Sequence, residues 1–193
     1  AEEGQGGARA MVEDGLFQRF PMERIFGWHN WPGLEAGTVA GHEAAVMAAG
    51  ARFEIRFEGH AGHAALPHLT RDPMLGAGHC IVALQSIVAR NVAPNDTAVV
   101  SVTGFTAGTA YNVIPERVAL RGTVRAFRTA TMRLLEERMR GLAQSIAAGF
   151  GGTAELEFRE IAAPVVNGAE QARMIADAAA SLVGEEHVDR DRL

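Results

Sequence analysis

Four stretches of the chain alternate apolar and polar residues, or are largely apolar, over seven to eleven positions. The clearest is RFEIRFE at 52–58, where large apolar side chains occupy every second position and charged ones lie between them. RVALRGTVRAF at 117–127 and TAELEFRE at 153–160 alternate in the same way, and TAVVSVTGF at 97–105 is largely apolar. A period of two is typical of a strand with one buried face. The pattern therefore predicts four strands.

Two longer stretches show helical spacing instead. In 71–91, Asp72 is a predicted N-cap and Pro73 occupies the first helical position, where a missing N–H costs nothing. In 131–152, the pattern predicts an amphipathic helix that Gly151 and Gly152 end. The positions at helical spacing are Met74, Gly78, Ile81, Leu84 or Gln85, and Val88 in the first helix, and Leu135, Met139, Leu142 and Ile146 in the second.

The predicted order over residues 51–162 is β-α-β-β-α-β, which is the ferredoxin-like arrangement. Both helices would cover one face of the sheet. Arg125 would then lie on the open face, in a row of arginines. Such a row is either a functional surface or a solvated one.

Residues 1–50 and 163–193 lie outside this unit. They predict a short helix at 6–17, strands at 24–31 and 37–47, a linker at 163–168 and a helix at 169–184. We therefore expect an α+β chain in which residues 51–162 are inserted into a second domain that is only partly present. Both ends of the chain have the pattern of cut ends.

Composition narrows the classes of function. Hydrophobic residues make up 48% of the chain and the net charge is -5, which fits a globular protein and argues against nucleic-acid binding. The positively charged residues are all arginines, which excludes lysine-based catalysis. A single cysteine, Cys80 in an apolar run, is predicted to be buried and inert, and with no signal peptide in view we expect a cytoplasmic protein. No apolar run approaches the ~20 residues of a membrane helix.

The stretch GHAGHAALPH at 59–68 places His60, His63 and His68 close together. The flanking glycines and the preceding strand predict a loop, in which three imidazoles would not converge on one metal without further ligands. A histidine that donates a hydrogen bond is the favoured interpretation for at least one of them.

Other candidate residues remain ambiguous when each is taken alone. The pair Glu2 and Glu3 could divide metal binding and proton transfer, or be a charged chain end. His29, between two tryptophans at the end of a predicted strand, is either a metal ligand or a packed histidine. Asn112 is a turn residue or a ligand contact, and Arg125 could form a bidentate pair with a carboxylate.

Taken together, these residues resemble the metal-dependent aminoacylase and carboxypeptidase family, of the hippurate hydrolase and N-acyl-amino-acid amidohydrolase type. The resemblance extends over nearly the whole chain. The matching stretches are AEEGQGGARAMVEDG, FGWHNWPGLEAGT, GHAGHAALPHLTRDP, VVSVTGFTAGTAYNVIPERVALRGTVRAF and AAPVVN.

The resemblance implies a zinc-peptidase-like α/β catalytic domain interrupted by a ferredoxin-like lid that also forms a homodimer. It implies that Glu2 is the general base and that Glu3 and His29 are metal ligands. His63 would reach into the partner subunit's active site and stabilise the oxyanion. Asn112 and Arg125 would hold the carboxylate or carbonyl of an N-acyl amino acid.

The resemblance also implies one or two divalent ions, Zn, Mn, Co or Ni, in the full-length enzyme. The family's upstream His-Asp-x-His motif and its C-terminal histidine segment are not in this sequence. We therefore expect the chain alone to bind metal poorly and to be inactive. The alternative is a non-catalytic dimerisation module or a ligand-binding ferredoxin-like module.

Overall fold

The computed structural model describes residues 6–191. The helices are α1 Gly7–Glu13, α2 Leu16–Arg19, α3 Pro73–Asn91, α4 Thr129–Gly149 and α5 Ala169–Val183, with 3-10 turns at Pro67–Leu69 and Glu185–His187. The strands are β1 Val39–Ala40, β2 Ala44–Met47, β3 Ala49–Glu58, β4 Gly62–His63, β5 Ala98–Thr106, β6 Val113–Ile114, β7 Arg117–Ala126, β8 Thr153–Ala162, β9 Val165–Asn167 and β10 Val188–Asp189.

The chain divides into two compact units. Residues 48–163 form the inner unit, and the residues before and after it form the outer unit. The chain therefore leaves the outer unit once, completes the inner one and returns.

The inner unit is built on a four-stranded antiparallel sheet with the strand order β5-β7-β3-β8. The first and last long strands of the unit, β3 and β8, are neighbours, and β7 lies on the other side of β3. Helix α3 connects β3 to β5, and α4 connects β7 to β8. The mixed helix and strand class and the predicted β-α-β-β-α-β order are confirmed.

The alternation along the strands determines which face is buried. In β3 the odd-numbered residues from Ala51 to Phe57 are buried, while Arg52, Arg56 and Glu58 are exposed on the other face. In β7 the even-numbered residues from Val118 to Ala126 are buried in the same way. Helices α3 and α4 contribute to the same core, so both cover this face and leave the charged face open.

Helix α3 begins as predicted but presents a different face. The Asp72 carboxylate accepts a 2.8 Å hydrogen bond from the Met74 N–H, and Pro73 follows the cap. The predicted inward positions Met74 and Gly78 are exposed, whereas Gly76, Ala77 and Cys80 are buried. The small residues let the helix approach the sheet closely: a Cβ added at Gly76 would lie 3.4 Å from a ring carbon of Phe57.

Helix α4 packs through Leu135 and Met139 as predicted, but its next fully buried positions are Ala143 and Ala147. Leu142 and Ile146 are only partly buried. The helix ends at Gly149, and Gly151 adopts a positive φ of 75° that favours glycine.

The outer unit contains two small sheets and α5. Strands β1 and β10 pair in parallel, and β2 pairs with β9 in antiparallel orientation. The predicted linker at 163–168 is therefore partly a strand. The predicted strand at 24–31 was wrong: these residues are irregular and exposed, and within 6–191 they have no strand partner for their backbone N–H and C=O groups.

Among the described residues, no helix combines the length and the apolar character needed to cross a membrane.

Candidate functional site

His63 lies in a short strand that the sequence pattern did not reveal. Strand β4 pairs with β6, so that His63 is opposite Val113 and Gly62 is opposite Ile114. The Ala64 N–H extends this ladder by donating a 2.9 Å hydrogen bond to the Asn112 carbonyl. The His63 side chain is exposed, so it is available to a ligand or to another molecule.

The same ladder brings Asn112 beside His63, although the two are far apart in sequence. We predicted Asn112 within a loop, and the structure places it in the turn before β6. Side chains alternate between the two faces of a ladder. Because His63 is opposite Val113, the neighbouring Asn112 side chain is expected to leave on the other face. The backbones are adjacent, but the register does not direct both side chains to one point.

Arg125 lies at the other end of the sheet. It is opposite Gly50 of β3 and Val99 of β5, on the open face, and is exposed as predicted. Its Nη1 donates a 3.0 Å hydrogen bond to the Val124 carbonyl. The β4 and β6 ladder follows Glu58 and precedes Arg117, which form the opposite end of β3 and β7.

Within one chain, the sheet therefore separates two of the residues predicted to contact the substrate, His63 and Arg125. The residues from Arg117 to Arg125 belong to one continuous strand, which at ~3.3 Å per residue spans roughly 25 Å. A small N-acyl amino acid carries its scissile carbonyl and its carboxylate only a few ångströms apart. His63 and Arg125 of one chain cannot both contact it without a large rearrangement of the strands.

The open face between these ends carries an ionic network. Arg56 contacts Glu54 at 2.7 Å and Glu157 at 2.8 Å, and Arg117 contacts Glu58 at 3.1 Å. Two further arginines lie toward the Arg125 end of the sheet, where Arg52 is directly opposite Arg159 across β3 and β8. Glu160, opposite Ala51, lies at the same end.

His29, in the outer unit, has the local geometry of a metal-binding histidine. Its Nδ1 lies 2.6 Å from the Asn30 carbonyl, and its ring makes an edge contact with Trp31 at 6.1 Å between centroids. A carbonyl oxygen can only accept, so Nδ1 carries a proton, and in the neutral ring the lone pair is therefore on Nε2. A ring N–H donated to a carbonyl is the usual arrangement behind a metal-ligating imidazole. His42 makes a similar 2.5 Å contact with the Glu43 carbonyl, so this feature alone does not identify a ligand.

Glu2 and Glu3, the predicted base and ligand, lie outside the described residues. Within 6–191, no three His, Cys, Asp or Glu side chains are grouped closely enough to hold a metal ion. The local triad of His60, His63 and His68 is therefore not such a group. His60 instead forms a backbone bridge with Arg71, and His79 stacks on Phe150 at 5.1 Å between centroids.

Comparisons with known proteins agree with these features. Two curated relatives cover nearly all of the chain: hippurate hydrolase of Campylobacter jejuni, 38% identical over 98% of the chain, and N-acetylcysteine deacetylase of Bacillus subtilis, 41% identical over 94%. The chain covers 49% and 47% of those proteins, so it spans about half of their length.

A solved structure matches with a TM-score of 0.78 and 34% identity over 100% of the chain and 47% of its own. It is the YXEP protein of Bacillus subtilis, described as a dinuclear metal binding peptidase. Residues 49–150, which cover most of the inner unit, match the model of the peptidase dimerisation domain. The chain therefore belongs to the M20 peptidase family whose members carry this dimerisation domain.

Proposed function

We propose that the chain is part of a metal-dependent amidohydrolase that cleaves the amide bond of N-acyl amino acids such as hippurate. In this proposal residues 48–163 are the lid through which two copies associate, and the outer unit belongs to the catalytic domain. The separation of His63 from Arg125 along one sheet carries the proposal, because it requires a second copy to complete a site.

Pairing of two lids at a sheet edge would reunite these residues. In a two-fold dimer whose edge strands pair in antiparallel orientation, the His63 end of one sheet comes beside the Arg125 end of the other. A substrate bound near Arg125 of one protomer could then receive His63 from its partner.

The composition of the edges favours β5 as the pairing strand. Residues 98–106 of β5 carry no charged side chain, whereas β8 carries Glu155, Glu157, Arg159 and Glu160. Charged side chains on an edge strand oppose pairing with another chain. Helix α3, which contacts β5, leaves the apolar side chains of Leu75 and Val82 exposed.

A divalent metal ion fits the one proposed ligand that the structure describes, since the neutral His29 ring that donates from Nδ1 has its lone pair on Nε2. Glu3 and residues outside this chain would complete its coordination. When bound, the ion would polarise the amide carbonyl and acidify the attacking water.

The other proposed roles belong to the chain's own side chains. Glu2 accepts the proton of the attacking water and passes it to the leaving amine. His63 donates a hydrogen bond to the oxyanion that forms at the carbonyl carbon. Arg125 pairs with the free carboxylate of the substrate, and Asn112 contacts its carboxylate or carbonyl.

Heterodimers of the complete enzyme test the assignment to two subunits. We would make His63→Ala and Arg125→Ala, tag the two subunits differently and purify the mixed dimers. Each single variant should lose roughly 10²-fold or more in activity. The His63→Ala and Arg125→Ala heterodimer retains one intact site and should recover about half of the wild-type turnover of N-acyl amino acids.

The matched control places both substitutions in one subunit and pairs it with the wild-type subunit. If the residues act across the dimer, neither site is complete and this heterodimer is inactive. The reverse result, with the control active and the first heterodimer inactive, would show that each subunit acts alone and would contradict the proposal.

A further inference from the structure

The loop at 59–71 holds the backbone of His63 in place through contacts of its own. His60 and Arg71 close its base with two backbone hydrogen bonds of 2.9 and 3.1 Å. Thr70 covers Gly62 so closely that a Cβ at that glycine would lie 2.5 Å from the Thr70 methyl carbon. The His63 carbonyl also accepts a 2.8 Å hydrogen bond from the Leu66 N–H.

The loop also fixes the imidazole ring. The backbone N–H of Ala65 donates a 3.1 Å hydrogen bond to Nδ1 of His63. A nitrogen that accepts a hydrogen bond carries no proton, so the neutral ring must carry its proton on Nε2. The contact resembles the turn that Asn and Asp make when their side-chain oxygen accepts from the N–H two residues on.

We propose that the Ala65 N–H holds His63 in the Nε2–H tautomer, so that the ring meets its ligand as a hydrogen-bond donor. The identity of that ligand as a substrate oxyanion rests on the function proposed above; the tautomer does not. A neutral ring in this state offers no lone pair at Nε2. It is therefore neither a metal ligand nor a proton acceptor at that atom.

His29 provides the contrast within the same chain. There a carbonyl faces Nδ1 at 2.6 Å, so the neutral ring carries its proton on Nδ1 and has its acceptor at Nε2. At His63 an N–H faces Nδ1 instead. The two backbone groups impose opposite tautomers, which match the opposite roles that we assign to the two histidines.

Nitrogen-15 NMR of the imidazole rings tests the tautomer on the chain itself. The chain has seven histidines, and the His63→Asn variant identifies the His63 signals by their loss. At a pH where the rings are neutral, we expect the His63 signals to show one tautomer, protonated at Nε2. A ring protonated at Nδ1, or an equal mixture of the two forms, would overturn the inference.

Hydrogen exchange of the Ala65 amide tests the contact that fixes the ring. The Asn side chain in His63→Asn can accept from the same N–H, whereas the alanine in His63→Ala cannot. The amide should therefore exchange roughly fivefold more slowly in the wild type and in His63→Asn than in His63→Ala. Equal exchange in all three proteins would refute the proposed role of Ala65.

Activity of the complete enzyme separates this inference from the proposed function. His63→Asn keeps the turn but offers no outward ring N–H, so it should lose as much turnover as His63→Ala, roughly 10²–10³-fold. If His63→Asn remained fully active, the Nε2–H donor would be refuted. If His63→Ala also kept full activity while the NMR result held, the proposed function would fail and the tautomer would stand.

Discussion

At the scale of single residues, Gly50 shows how a missing side chain can shape the candidate site. A Cβ built at Gly50 would lie 3.3 Å from a side-chain carbon of Ile161 and 3.5 Å from the guanidinium carbon of Arg125. The 3.3 Å contact with Ile161 is tighter than most that real side chains make, whereas 3.5 Å from Arg125 is an ordinary van der Waals distance. We infer that a side chain at position 50 would press first on Ile161, and that one longer than alanine would also compete with the Arg125 guanidinium for space.

Cys80 is a reactive type of side chain that is enclosed by the core. Its side chain is fully buried in α3, and burial raises the pKa of the thiol from 9.0 to about 11. The thiolate is the reactive form, so the structure agrees with the prediction of an inert cysteine.

The raised pKa predicts a loss of stability at alkaline pH. Below pH 9 both the folded and the unfolded chain keep the thiol proton, and Cys80 adds no pH dependence. Between pH 9 and 11 the unfolded chain releases the proton and the folded chain retains it. The free energy of unfolding should therefore fall with rising pH, by at most about 2–3 kcal/mol from this group.

Urea unfolding in the presence of a reductant, at pH 8 and at pH 10.5, measures this effect. Cys80→Ala is the control, because it removes the thiol and leaves the other titrating groups. The wild type should lose more stability over this interval than the variant. Equal losses would show that the thiol ionises as easily in the folded chain as in the unfolded one.

At the scale of secondary structure, helix α3 packs into the core on one face and is proposed to contact a second copy of the chain on the other. Its inner face supplies Cys80, Leu84 and Ile87 to the core. Its outer face leaves Val82 74% exposed and Leu75 53% exposed, which is costly for a surface that faces only water. With the uncharged edge of β5, this face is the proposed contact between two lids.

A charged residue on this face should weaken self-association. Val82→Arg places a cation in the proposed contact, and the dissociation constant of the dimer should rise by roughly tenfold or more. Analytical ultracentrifugation over a range of concentrations measures it. Gln144→Arg, which adds the same charge to an exposed position of α4, should leave the constant unchanged.

A chain that is monomeric at high concentration before any substitution would contradict the proposed dimer. A dimer that tolerates Val82→Arg but is disrupted by Gln144→Arg would place the contact on the other helix.

The periodic elements could be predicted from the sequence because each repeats its signal over many residues. All four long strands and both long helices of the inner unit lie within a few residues of their predicted bounds. The prediction of which helix face is buried was less accurate. Gly76 and Ala77 are buried because their small size lets the helix approach the sheet, and a pattern of large apolar residues does not reveal this. Strands β4 and β6 are two residues each, too short for any period to be visible.

The candidate site shows the same limit more sharply. The resemblance supplied His63, Asn112 and Arg125, but no local pattern predicts that β4 and β6 pair or that Arg125 lies at the far end of the sheet. These are long-range features of the register. The prediction of a strand at 24–31 was wrong for a related reason. The apolar residues of this segment are typical of a strand, but the local sequence does not show whether a partner strand is present.

At the scale of the whole molecule, the two units differ in how they bury apolar surface. The large core cluster lies entirely between Ala49 and Leu156, within the inner unit. In the outer unit the buried apolar residues among those described are Ala172, Ala176 and Ala179, while Phe20, Ile25 and Trp28 are exposed. This contrast supports the proposal that the outer unit belongs to a larger catalytic domain.

The inner unit should therefore fold by itself. Residues 48–163 expressed alone are expected to show a cooperative urea transition with a midpoint close to that of the same unit in the whole chain, because the same core is buried in both. Circular dichroism follows the transition. A broad, non-cooperative transition would show that the outer residues contribute to this core.

The adjacency of β3 and β8 has a consequence for how such a protein can be assembled from parts. Gly50 is opposite Ala162, so the two ends of the inner unit lie side by side across one ladder. A unit whose first and last residues are adjacent in space can be inserted into another protein, or exchanged for a related unit. Only two short junctions are needed, and the fold of the receiving protein does not have to change. The inner unit is in this sense a transferable module, and a gene encoding another protein could acquire it in one recombination event.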